Sequence, residues 1–261
     1  MKPGGKILVV MVLALFTEVA SPVDEWKQEK HPGYTLFCKG DDESESGRYA
    51  KFIDKGIESV KFFTKDLYRK EFKVFVHPSR AEMDKQWQAD WTMPGFKSEC
   101  WMVASGVATR LDLLSPLTWG KQACEHDYTN KEETQKVITH ELFHIYHAQL
   151  NPSSDFSDTQ GIDWLVEGFA TYAAGQCSAA RMLEVKNAIE KKVAPALLDD
   201  FWKGKLKYGL SGSLVMFVDK KYGREKLKAL LQLKTRAEVL GALQVSEQAL
   251  LKDWARFMEE S

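Results

Sequence analysis

Apolar positions along this chain fall into three patterns. Residues 7–16 form an unbroken apolar run behind Lys2 and Lys6. The first half then holds short strand-length stretches among polar segments, and the second half holds helix-length stretches with a period near 3.6. The pattern predicts a helix over residues 47–68, a strand over 72–77 closed by Pro78-Ser79, and a short helix over 80–88. Residues 106–114 alternate in part and precede Ser115-Pro116, which reads as a further strand. Beyond Cys177 every periodic stretch reads as helix: 179–191, 211–222, 224–233, and 246–258 with Ser246 as N-cap. Sheet first and helices later is an α+β order.

The most informative helix is predicted over residues 129–150. Thr129 with Glu132 fits a capping box, Glu132 and Glu133 suit the positive end of the helix dipole, and Asn151-Pro152 ends the segment. Val137, Ile138, Leu142, Phe143, Ile145 and Tyr146 make it apolar over much of its circumference, so it is expected to be buried. Within it stands His140-Glu141-Leu142-Phe143-His144. Histidines four apart share one helix face, and buried imidazoles need partners. One zinc ion satisfies both, with Glu141 beside it as a base for water chemistry. Hydrolytic zinc takes three protein ligands and keeps one open position, so a third ligand is required. His147 lies on nearly the same stripe but about 4.5 Å of helix rise beyond His144, out of reach of an ion shared by the first pair. It is expected to pack. His31, His77 and His126 have no motif context and are expected on the surface or in satisfied loops.

After a polar loop over residues 153–161 comes Trp164-Leu165-Val166-Glu167-Gly168-Phe169-Ala170-Thr171-Tyr172. This segment resembles the Trp-Leu-x-Glu-Gly-Phe-Ala pattern that carries the third zinc ligand in gluzincin metallopeptidases, with the aminopeptidase-N class and the broader peptidase MA-like domains as the nearest likenesses. The resemblance makes Glu167 the third ligand, on a connecting loop a few residues longer than in the aminopeptidase-N class. The alternative metzincin pattern needs a histidine at the position of Leu150 and fails. Further on, Tyr208 precedes a run of small residues and an apolar helix closed by Tyr222-Gly223. By the same resemblance Tyr208 is the hydroxyl that stabilises the oxyanion, a role a neutral phenol fills without adding charge. Tyr172 is a second candidate, five residues past Glu167 and so on another face. The resemblance also implies a thermolysin-like catalytic fold. In that fold a small mixed sheet offers an edge strand, here beginning near Ser105-Gly106, to a peptide or protein substrate. The Gly-x-Met-Glu-Asn sequence that captures a free amino terminus in aminopeptidases is absent.

The rest of the chain places this chemistry. The lysines and short apolar run at the start read as a cleavable signal peptide over residues 1–21, too short to span a bilayer stably, with Val19-Ala20-Ser21 supplying small residues for cleavage. Residues 22–261 are expected to form the catalytic domain, secreted or periplasmic, monomeric and without a membrane anchor. Four cysteines suit an exported chain with two disulfides, for which three pairings are open. Cys100 and Cys124 flank the edge strand, so Cys100–Cys124 with Cys38–Cys177 is the expectation. A net charge of −1 and the lack of a basic block leave nothing that points to nucleic acid. Residues 39–48, acidic in the middle, are expected to be a solvated loop. The function read from the sequence is zinc-dependent peptide hydrolysis. The alternatives are a zinc hydrolase acting on a non-peptide amide and a secreted zinc-containing binding protein without turnover.

Overall fold

The computed structural model describes residues 25–260. The signal-peptide expectation falls on residues outside that range. Two strands, β1 (Lys27–His31) and β2 (Tyr34–Cys38), pair antiparallel, with Gly33 taking the left-handed conformation that the tight connection requires (φ 88°). Helix α1 (Ser46–Thr64) crosses over to β3 (Phe72–His77), parallel to β2. Helix α2 (Arg80–Asp90), N-capped by Ser79, leads to β4 (Ala104–Val107) and β5 (Arg110–Leu114). The five strands form one mixed sheet in the order β1-β2-β3-β5-β4.

The remainder is helical: α3 (Trp119–Gln122), α4 (Lys131–Leu150), α5 (Asp163–Ala173), α6 (Ala179–Glu190), α7 (Lys207–Tyr222), α8 (Arg224–Ala229), α9 (Arg236–Leu243) and α10 (Glu247–Glu260). The molecule is thus α+β with a small mixed sheet and a mainly helical second half. Among the described residues no helix is long and apolar enough to cross a membrane.

One sheet face carries Leu36, Val74, Val76, Leu111 and Leu113, all essentially inaccessible, and packs with α1 and α4. Each such side chain contributes about 1.5–3 kcal/mol of burial. Helices α5 and α7 meet at Gly168, where a Cβ would stand 2.4 Å from the Ser211 carbonyl oxygen. Only a glycine permits that approach, and it fixes the helix that carries Glu167 against the helix that carries Tyr208.

Several expectations change. The single strand expected over residues 106–114 is a hairpin that turns at Ala108-Thr109, where Val107 pairs with Arg110; its first arm, β4, is the sheet edge. Helix α4 starts one residue later than the capping box implies. Asn130 is its N-cap, with Oδ1 accepting from the Glu133 N–H at 3.1 Å, while the Thr129 hydroxyl donates to Asp127 instead. Residues 40–45 are a 3₁₀ helix rather than a solvated loop. Asp42 within it is buried because it accepts hydrogen bonds from Tyr49 and Ser115, both at 2.6 Å. His77 is neither a surface nor a loop residue: it is a buried residue of β3, 2.6 Å from Asp112.

The Cys100–Cys124 disulfide forms, but Cys38 and Cys177 are free. Cys38 is buried in β2 beside β1, whereas Cys177 follows α5 and packs at Gly212 of α7. The two sulfurs belong to different parts of the core.

Candidate metal centre

Helix α4 presents His140 and His144 from one face, one turn apart, and α5 brings Glu167 to them. The two Nε2 atoms are 3.0 Å apart, and Oε2 of Glu167 is 3.3 Å from that of His140 and 3.5 Å from that of His144. Zinc bonds of about 2.0–2.1 Å place neighbouring ligands of a tetrahedron about 3.3 Å apart. The three atoms therefore already stand at the edge lengths of a tetrahedral ligand set, and this cluster can hold a metal ion.

The tautomer of His140 follows from its other nitrogen. Nδ1 is 2.9 Å from the Gln176 side-chain oxygen, which can only accept, so Nδ1–H donates and Nε2 keeps its lone pair for a metal. Nδ1 of His144 is buried without such a partner. Burial pushes the Glu167 carboxyl up, but the His144 and His140 rings outweigh it and hold the group well below the usual carboxylate range. It stays an anion, as a metal ligand must.

Glu141 faces the same space from α4. Burial pushes its carboxyl up to about 7, against the pull of His140 and with the added repulsion of Glu167. The Gly106 backbone of β4 lies close enough to offset part of that rise. A Cβ at residue 106 would stand 2.3 Å from the Glu141 carbonyl oxygen and 3.2 Å from the His144 Cβ, so glycine is what lets the sheet edge lie directly on α4.

Tyr208 sits in the first turn of α7 rather than ahead of a small-residue turn. Its ring centroid is 6.0 Å from that of His140. Burial pushes its phenol up, with Glu167 and Glu141 adding to the shift, so the hydroxyl remains a donor. Tyr172 takes another part: its hydroxyl donates to Asp219 at 2.9 Å, and Arg224 clamps the same carboxylate.

All five residues singled out from the sequence (His140, Glu141, His144, Glu167, Tyr208) line one cleft of about 540 Å³, bounded by β4, α4, α5 and the start of α7. His147 lies outside it, fully buried among Phe143, Phe156 and Phe169. Neither ring nitrogen has a hydrogen-bond partner, and burial, with His144 nearby, pushes the imidazole down to about 3. Sequence reasoning missed Gln176, Arg181, Trp101 and Trp202, which line the same cleft. None belongs to a motif; only the position of Gln176 just past the end of α5 marked it as close to Glu167. No protein-family model matches this chain, and no curated protein matches it either.

Proposed function

We propose that this chain is a zinc-dependent peptidase of the gluzincin type, exported from the cytoplasm, with His140, His144 and Glu167 as the metal ligands. The observation that carries the reading is the convergence of two Nε2 atoms and one carboxylate oxygen at 3.0–3.5 Å, with a second carboxylate, Glu141, on the same cleft. Bound there, zinc supplies a Lewis acid for the scissile carbonyl and makes a water acidic near neutral pH. Glu141 accepts the proton of the attacking water and delivers it to the leaving amine nitrogen. The raised affinity of this carboxyl for a proton suits a group that must take one and give it back. The Tyr208 hydroxyl donates to the oxygen that becomes negative in the tetrahedral state. Gln176 holds the His140 ring.

The substrate is an extended peptide that adds to the free edge of β4, where backbone N–H and C=O groups lie along the cleft. A quenched-peptide panel tests the reading. Cleavage is expected to stop on chelation and return with stoichiometric zinc. Cleavage that survives complete metal removal, or no cleavage by the zinc-loaded chain, would contradict it; the second outcome favours the binding protein without turnover.

A further inference from the structure

Beside the cleft a cation rests on aromatic rings that line it and not on a carboxylate. The Lys207 ammonium lies 3.6 Å from the centroid of Trp101, 4.7 Å from that of Trp202 and 5.3 Å from that of Tyr208. Glu167 and Glu125 act on it only through space. All three rings line the cleft of the metal centre, and Trp202 meets Tyr208 edge to face at 4.8 Å. Ring faces grouped round one ammonium attract it through their quadrupoles, more strongly as water is excluded.

The rings come from both halves of the molecule and are held in place. Trp101 follows Cys100 of the disulfide, and its carbonyl oxygen is 3.0 Å from Nε2 of His126. The Arg80 guanidinium fastens the same loop, donating to the carbonyls of Glu99, Cys100 and Met102 and to that of Gln122 next to the second cysteine region. The walls nearby favour positive charge. Glu125, Asp155 and Asp163 also line the cleft, and its one lining arginine, Arg181, donates to the Gln176 carbonyl.

We propose that Trp101, Trp202 and Tyr208 form a subsite for a cationic substrate side chain, lysine or arginine, and that Lys207 occupies it as an internal surrogate until substrate displaces it. The subsite shares Tyr208 with the metal centre, which puts the cationic residue beside the bond to be cut. That the occupant is a substrate side chain rests on the peptidase reading; occupancy of the subsite by a cation is separable from hydrolysis.

The test is a tryptophan-fluorescence titration of the full chain with N-acetyl-lysine methylamide and its uncharged analogue N-acetyl-norleucine methylamide. Lys207→Ala is expected to bind the lysine compound about tenfold more tightly than wild type and more tightly than the norleucine compound, the gain that two or three cation–ring contacts provide. Adding Trp101→Phe, which keeps a ring but weakens its attraction for a cation, should remove much of that gain. No gain in Lys207→Ala, or an equal gain for norleucine, overturns the proposal. On a peptide panel, preference for lysine or arginine next to the cut bond supports it, and cleavage without that preference overturns it. A panel left uncut counts against the peptidase reading, and the titration still decides the subsite.

Discussion

At the scale of single residues, the candidate centre divides into groups that motifs reveal and groups that only packing reveals. His140, Glu141 and His144 are legible because helical geometry alone puts the two imidazoles on one face. Glu167 is legible through its neighbours in residues 164–172. Gln176 is not, because a glutamine that orients a ring needs only to be near in space. Its role has a measurable cost: Gln176→Ala should lower zinc affinity about 10- to 100-fold, the usual effect of losing a group that holds a metal-bound imidazole. A competition titration against a chromophoric chelator measures it, and an unchanged affinity removes Gln176 from the account. His147 behaves oppositely. Its two ring nitrogens are buried without hydrogen bonds, an arrangement that costs about 1–3 kcal/mol per polar group. His147→Leu should therefore raise the urea midpoint and leave zinc stoichiometry alone, whereas loss of zinc in that variant would give His147 a part in the centre that its position does not support.

At the scale of elements, the second half of the chain was more legible than the first. Helices with a clear 3.6-residue period, such as α4, α6 and α10, fall within a few residues of where periodicity places them. The start of α6 and the Ser246 cap of α10 stand where expected, but the start of α4 does not, because caps compete: Asn130 and Thr129 are both good N-caps, and Asp127 takes the Thr129 hydroxyl. The β1–β2 hairpin has no clear signal in the sequence because β1 is charged and mostly exposed, with little apolar alternation. The β4–β5 hairpin reads as one strand in the sequence because its turn residues, Ala108 and Thr109, carry none of the usual turn signals. That turn has functional weight, since it frees β4 to be the edge. Gly106→Ala should push β4 off α4, given the 2.3 Å approach of a Cβ to the Glu141 carbonyl oxygen. The expected result is loss of peptide turnover together with a lower melting temperature; a variant with wild-type kinetics would show that the edge strand need not touch the metal helix.

At the scale of the whole molecule, the disulfide expectation shows what one sequence leaves open. Cys100 and Cys124 flank one local structure and join, while Cys38 and Cys177 are separated by the arrangement of sheet and helices, which spacing does not encode. The acid side of the stability profile is also a property of the assembled sheet. Burial pushes the Asp112 carboxyl up, but hydrogen bonds from His77 and Arg110 outweigh it and leave the group below its ordinary value. A carboxyl depressed in the folded state adds stability that is fully present above its unfolded value, near 4, and is lost as pH falls through the folded value. The stability gap between wild type and Asp112→Asn, read from urea midpoints, should thus be widest near neutrality and shrink below about pH 4. A gap that stays constant down to pH 2.5 would contradict this linkage.

In the proposed mechanism Glu141 acts as the base at a zinc site built by His140, His144 and Glu167. Its most direct test is peptide turnover by zinc-loaded Glu141→Gln, with zinc content determined on the same sample. The expected result is one zinc per chain, as in the wild type, and turnover reduced by at least about 10²-fold, the scale of a lost general base. A zinc-replete Glu141→Gln protein that cleaves peptides at the wild-type rate would contradict it.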